Sequence, residues 1–130
     1  MRFQPEAASV PAVTRILIIE DDLAIQDLLR DVLRDGGYQL LFVDDLDHAA
    51  ANVAPDVVIT DLVDIDAYDS GRARESVHRV QQRYPGTPIV VCTAHADALE
   101  ESDRLGAAAV LRKPFSIDAL FDTVARLSAR

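Results

Sequence analysis

The sequence predicts an α/β fold, a doubly wound five-stranded parallel sheet with helices on both faces. Three observations predict it. Five short β-branched apolar runs recur along the chain, segments of helical period separate them, and each run is nearly continuous in hydrophobicity, as in strands covered on both sides. The strand runs are Arg15–Glu20 (RILIIE), Gln39–Val43 (QLLFV), Val57–Asp61 (VVITD), Ile89–Thr93 (IVVCT) and Ala109–Arg112 (AVLR).

Between the first two runs, Ile25, Leu28, Leu29, Val32 and Leu33 recur at helical spacing, and Gly36-Gly37 stops the helix. Leu46–Val53 and Asp97–Leu105, shorter and Ala-rich, are read as the second and fourth helices. Ala73, Val77, Val80 and Tyr84 form the stripe of the third, ahead of Pro85-Gly86, and Ile117, Leu120, Phe121 and Val124 that of the last, with Ser116 as its N-cap. The order is (βα)5, with right-handed crossovers. Residues 1–13 carry two prolines and no period and read as a flexible tail, leaving 14–130 as one domain.

The 130 residues include 13 basic and 22 acidic side chains, for a net charge of −9. An acidic chain repels polyanions, so no direct nucleic-acid binding is expected. A lone Cys92, no signal-peptide pattern and no apolar run near the roughly 18 residues of a membrane span point to a soluble cytoplasmic protein. Twelve of the basic residues are Arg; the single Lys is Lys113.

Four of the five apolar runs end in chemistry: Glu20-Asp21-Asp22, Asp61, Thr93 and, one residue on, Lys113-Pro114. Open α/β sheets bind ligands beyond the carboxyl ends of their strands. For strand order 2-1-3-4-5 the switch point lies between the first and third strands, which places Glu20, Asp21 and Asp61 together. Adjacent carboxylates need a shared proton or a divalent cation, and Mg2+ suits an all-oxygen site that leaves room for phosphate. Lys113 and Thr93 would then meet phosphoryl oxygens. No Ser or Cys lies at these strand ends beside a base, and His48, His78 and His95 are scattered, so the expected nucleophile is a carboxylate, Asp61 on the central strand.

Residues 14 to 127 resemble the receiver domain of two-component response regulators, which has the flavodoxin-like fold of the chemotaxis response regulator. The resemblance rests on Glu20-Asp21 after ILII, Asp61 after VVIT, Thr93-Ala94 after IVVC and Lys113-Pro114-Phe115, in order and spacing. It implies that Asp61 accepts a phosphoryl group from a sensor histidine kinase or phosphotransfer protein. It also implies that Asp21, with Glu20 assisting through water, holds Mg2+ together with Asp61 and the backbone carbonyl of Val63. Thr93 and Lys113 would contact the phosphoryl oxygens, and the Lys113-Pro114 peptide would be cis. A signalling switch, not an enzyme, is the implied role, with a downstream protein or a fused output domain as its target and homodimerisation on phosphorylation.

Two features depart from the family pattern. After Asp61 the chain lacks the usual Pro and reaches its Gly two residues late, at Gly71, so a longer loop is expected; and Val110 stands where many receivers carry a switching aromatic. These departures motivate a rival reading, a phosphorylation-independent interaction module of the same fold. A haloacid-dehalogenase-type phosphatase would need Asp-x-Asp at the first strand, and a flavodoxin would need hydroxyls and glycines there; neither is present.

Several residues also have a plain structural reading. Asp22 is expected to cap the first helix, and Cys92 to fill the core. His95 lies near the expected site as a candidate tuner of phosphoryl lifetime or an ordinary loop histidine. Asp64, Asp66, Asp69 and Glu75 imitate calcium-loop spacing without its glycine and read as a solvated acidic loop. Arg72, Arg79 and Arg83 read as a solvated helix face that could receive an acidic partner.

Overall fold

A computed structural model describes residues 13–50, 52–61 and 69–128. Five parallel strands, β1 (Arg15–Ile19), β2 (Gln39–Val43), β3 (Val57–Asp61), β4 (Ile89–Thr93) and β5 (Ala109–Arg112), form one sheet in the order β2-β1-β3-β4-β5. Three long helices accompany them: α1 (Leu23–Arg34), α2 (Ser70–Arg83) and α5 (Ile117–Ser128); the short α3 (Ala96–Glu100) and α4 (Ser102–Leu105) lie between β4 and β5. The residues of the expected tail, apart from Val13, and residues 62–68, including Val63, Asp64 and Asp66, lie outside the described residues.

The continuous hydrophobicity of the strands is used on both faces. Leu17, Ile19, Val58, Ile89 and Val91 pack with Ala73, Val77 and Val80 of α2, Ala98 of α3 and Leu105 of α4. Ile16, Ile18, Val57, Ile59, Val90 and Cys92 pack with Leu29, Val32 and Leu33 of α1 and Leu120 and Val124 of α5. Alternation along each strand thus builds two cores around one sheet.

The helix ends follow local chemistry. Asp22 caps α1 by accepting from the amides of Ala24 and Ile25, and Ser116 Oγ accepts from Ala119 at the start of α5. Beyond α1 the chain turns at Gly37, whose φ of 77° lies in the left-handed region that glycine adopts without strain.

The expected helix over Leu46–Val53 is, among the described residues, only a 3-10 turn at Leu46–His48. Partners elsewhere satisfy its polar groups: Arg79 of α2 pairs with Asp47 at 3.2 Å, and Arg83 donates to the Ala49 carbonyl. Arg79 stays exposed with Asp47 as an acidic partner, whereas Arg83 is half-buried. The expected single helix over Asp97–Leu105 is broken into α3 and α4 at Glu101, whose φ of −110° and ψ of 17° leave the helical region. Two stripe positions, Leu28 and Ile117, are exposed rather than buried.

Candidate functional site

Strand register assembles the site. Ile19 of β1 lies opposite Thr60 of β3, so the next residues, Glu20 and Asp61, are brought side by side at the carboxyl end of the sheet. On the other side of β3, Asp61 faces Cys92, and the following Thr93 pairs with Arg112 of β5. The Lys113 amide donates to the Thr93 carbonyl at 2.7 Å, which delivers the lysine to the same end; the Lys113-Pro114 peptide is cis.

Lys113 reaches into the carboxylates. Its Nζ donates to Glu20 Oε1 at 2.9 Å and lies 3.1 Å from Asp61 Oδ2. Carboxylate oxygens of Glu20, Asp21 and Asp61 all lie within 4.8 Å of one another, with Glu20 buried, Asp61 half-buried and Asp21 exposed. Thr93 is buried, and its Oγ1 accepts from the His95 amide at 3.1 Å, so His95 does lie beside the site.

Both ends of the Glu20–Lys113 pair bind protons more tightly than usual, for different reasons. The Glu20 carboxyl lies above its usual value: burial is the main cause and the Asp61 charge adds to it, against hydrogen bonds from Lys113 and the Asp22 amide. At Lys113 burial works against the ammonium, but the Glu20 hydrogen bond and the Asp61 charge outweigh it, and its pKa is raised. A cluster of hard oxygen donors with surplus negative charge fits Mg2+.

A cavity of about 40 Å3 lies beside Asp61, lined among others by Thr60, Leu46, Ser76 and Arg79. Two polar contacts were not anticipated from sequence. The Asp22 amide donates to Glu20 Oε2 at 3.2 Å, and the Gln26 side-chain amide donates to the Glu20 carbonyl. The one available signal for Gln26 was a polar residue in the first turns of α1, next to the buried stripe.

Residues 16–125 match the model of the response regulator receiver domain family. The chain belongs to that family. It is 36% identical over 117 residues to the response regulator protein FleR of Pseudomonas aeruginosa, an alignment covering 86% of this chain and 24% of FleR. It is 34% identical over 110 residues to a response regulator receiver protein of Anaeromyxobacter sp., covering 83% of this chain and 46% of that protein. The receiver thus spans about a quarter to a half of the length of these curated relatives. A chemotaxis response regulator of Vibrio cholerae superposes with a TM-score of 0.69 at 26% identity, over 89% of this chain and 99% of the other. Receiver domains are signalling modules of two-component systems, and no helix among the described residues of this one is long and apolar enough to cross a membrane.

Proposed function

We propose that this receiver, residues 14–130, is a phosphorylation-activated switch whose phosphoacceptor is Asp61. The observation that carries the reading is the pairing of Asp61 with Lys113 at 3.1 Å beside the Glu20–Asp21 carboxylates. An Asp61 carboxylate oxygen attacks the phosphorus of a phosphohistidine on a histidine kinase or phosphotransfer protein. The P–N bond breaks, its electron pair stays on the imidazole nitrogen, and an acyl phosphate forms. Lys113 and the Thr93 hydroxyl hold the phosphoryl oxygens. Glu20, Asp21, Asp61 and the Val63 carbonyl are the residues that would hold Mg2+, which when bound offsets charge on the phosphoryl group.

Phosphorylation adds about one negative charge at Asp61 and moves the partner of Lys113 from the Asp61 carboxylate to the phosphoryl oxygens, and this is the change that a downstream protein, a fused output domain or a second copy would read. A phosphohistidine donor charged from ATP supports a cytoplasmic setting for this work. Incubation with Mg2+ and a small phosphodonor should add one phosphoryl group, stable in acid and labile in base, to the wild type and not to Asp61→Ala. No modification with any donor would leave a constitutive interaction module in its place.

A further inference from the structure

We infer that Gln26 is a positioning residue for the divalent-cation site, acting through the Glu20 backbone; this rests on the reading of Glu20, Asp21 and Asp61 as that site. Asp21 is the most exposed of the three carboxylates, and its side chain has no hydrogen bond or ion pair to any described residue. Its place is therefore set by its backbone, which runs between Glu20 and Asp22.

Besides the Glu20 amide's bond to the Val43 carbonyl at 2.9 Å, two bonds that involve side chains pin that backbone. Asp22 donates its amide to Glu20 Oε2 at 3.2 Å, and half-buried Gln26 donates its side-chain amide to the Glu20 carbonyl. The Glu20 carbonyl lies past the last β1–β2 pair, Ile19 with Val43, and accepts no backbone hydrogen bond among the described residues. Gln26 is itself anchored, since its own amide donates to the Asp22 carbonyl at 3.0 Å. The first turns of α1 thus close a ring around Asp21, and Gln26 is the bond that ties the helix back to the strand. Groups that orient a ligand without touching the metal govern affinity in this way.

The isosteric substitutions separate positioning from charge. Gln26→Met removes the donor at similar size. Gln26→Glu removes it and adds a negative charge, which by electrostatics alone would attract Mg2+ more strongly. MgCl2 is titrated into the full chain and followed by the amide shifts of Asp21 and Asp22, with thermal unfolding in EDTA recorded for each variant. Both variants should bind Mg2+ about tenfold more weakly than wild type. Wild-type affinity in Gln26→Met, or tighter binding in Gln26→Glu, overturns the proposal while leaving the site intact. A lowered unfolding midpoint with unchanged affinity assigns Gln26 to stability alone and overturns it too. A wild type that shows no response to Mg2+ removes the site reading and the proposal with it.

Discussion

Lys113 Nζ donates to Glu20 Oε1 at 2.9 Å across 93 residues of sequence, and Glu20 is almost wholly out of solvent. An ammonium in that position is the internal counter-ion of a carboxylate that water cannot reach. Removing it by Lys113→Met leaves Glu20 and Asp61 uncompensated, and breaking such a pair should cost about 3 kcal/mol in the metal-free protein. Chemical denaturation in EDTA measures the loss, and added Mg2+ should recover part of it. Lys113→Arg should fold yet blunt the phosphorylation-dependent change, because a broad guanidinium fork does not replace a compact ammonium. Full responsiveness in that variant would show that any cation suffices.

The Glu20–Lys113 pair predicts a pH profile for the metal-free protein. Glu20 binds its proton more tightly folded than unfolded, so its contribution to stability is complete below the ordinary value of 4.5 and declines as pH rises through the higher folded value. Lys113 is likewise raised above 10.5, so its contribution persists through neutral pH and is lost only in more alkaline solution. Glu20→Gln, a neutral mimic, should therefore raise the melting temperature at neutral pH, with the gain vanishing below 4.5. The same variant should bind Mg2+ more weakly. A melting temperature lowered equally at all pH values would contradict the burial argument.

Burial, with smaller influences from Asp61 and Glu20, pushes the Cys92 thiol up to about 12 against the opposing charge of Lys113. Since the thiolate is the reactive species, iodoacetamide should leave the native protein unmodified at neutral pH and alkylate it in denaturant. Rapid labelling of the folded protein would mean that β4 opens far more readily than its two-sided burial implies.

Tyr84 closes the α2 stripe, and its hydroxyl is buried without a hydrogen-bond partner among the described residues. An unsatisfied buried hydroxyl carries a desolvation cost, so Tyr84→Phe should be neutral or stabilising by up to about 1 kcal/mol. Equilibrium denaturation decides this, and a clear loss of stability would reveal a bond to the hydroxyl.

The strands and the long helices were legible because burial on both faces writes continuous apolar runs, and one-sided burial writes a stripe of helical period. The two shorter helices were not. Leu46–Val53 is reduced to a turn after which Arg83 of α2 takes the Ala49 carbonyl, a partner that no local pattern announces. Ile117, on the apolar stripe of α5, is 53% exposed because it is the first residue of the helix, ahead of the buried Leu120 and Val124.

For the site, the sequence by itself determined which residues stand at strand ends, since a polar residue closing an apolar run has a place fixed by the run. Only the tertiary structure decided what they touch. Parallel register, set by crossovers between distant strands, puts Glu20 beside Asp61, and β5 then carries Lys113 to both. Gln26 belongs wholly to that second kind: its bond exists because α1 folds back on the end of β1, and spacing along the chain records neither the direction of a side chain nor the carbonyl it meets.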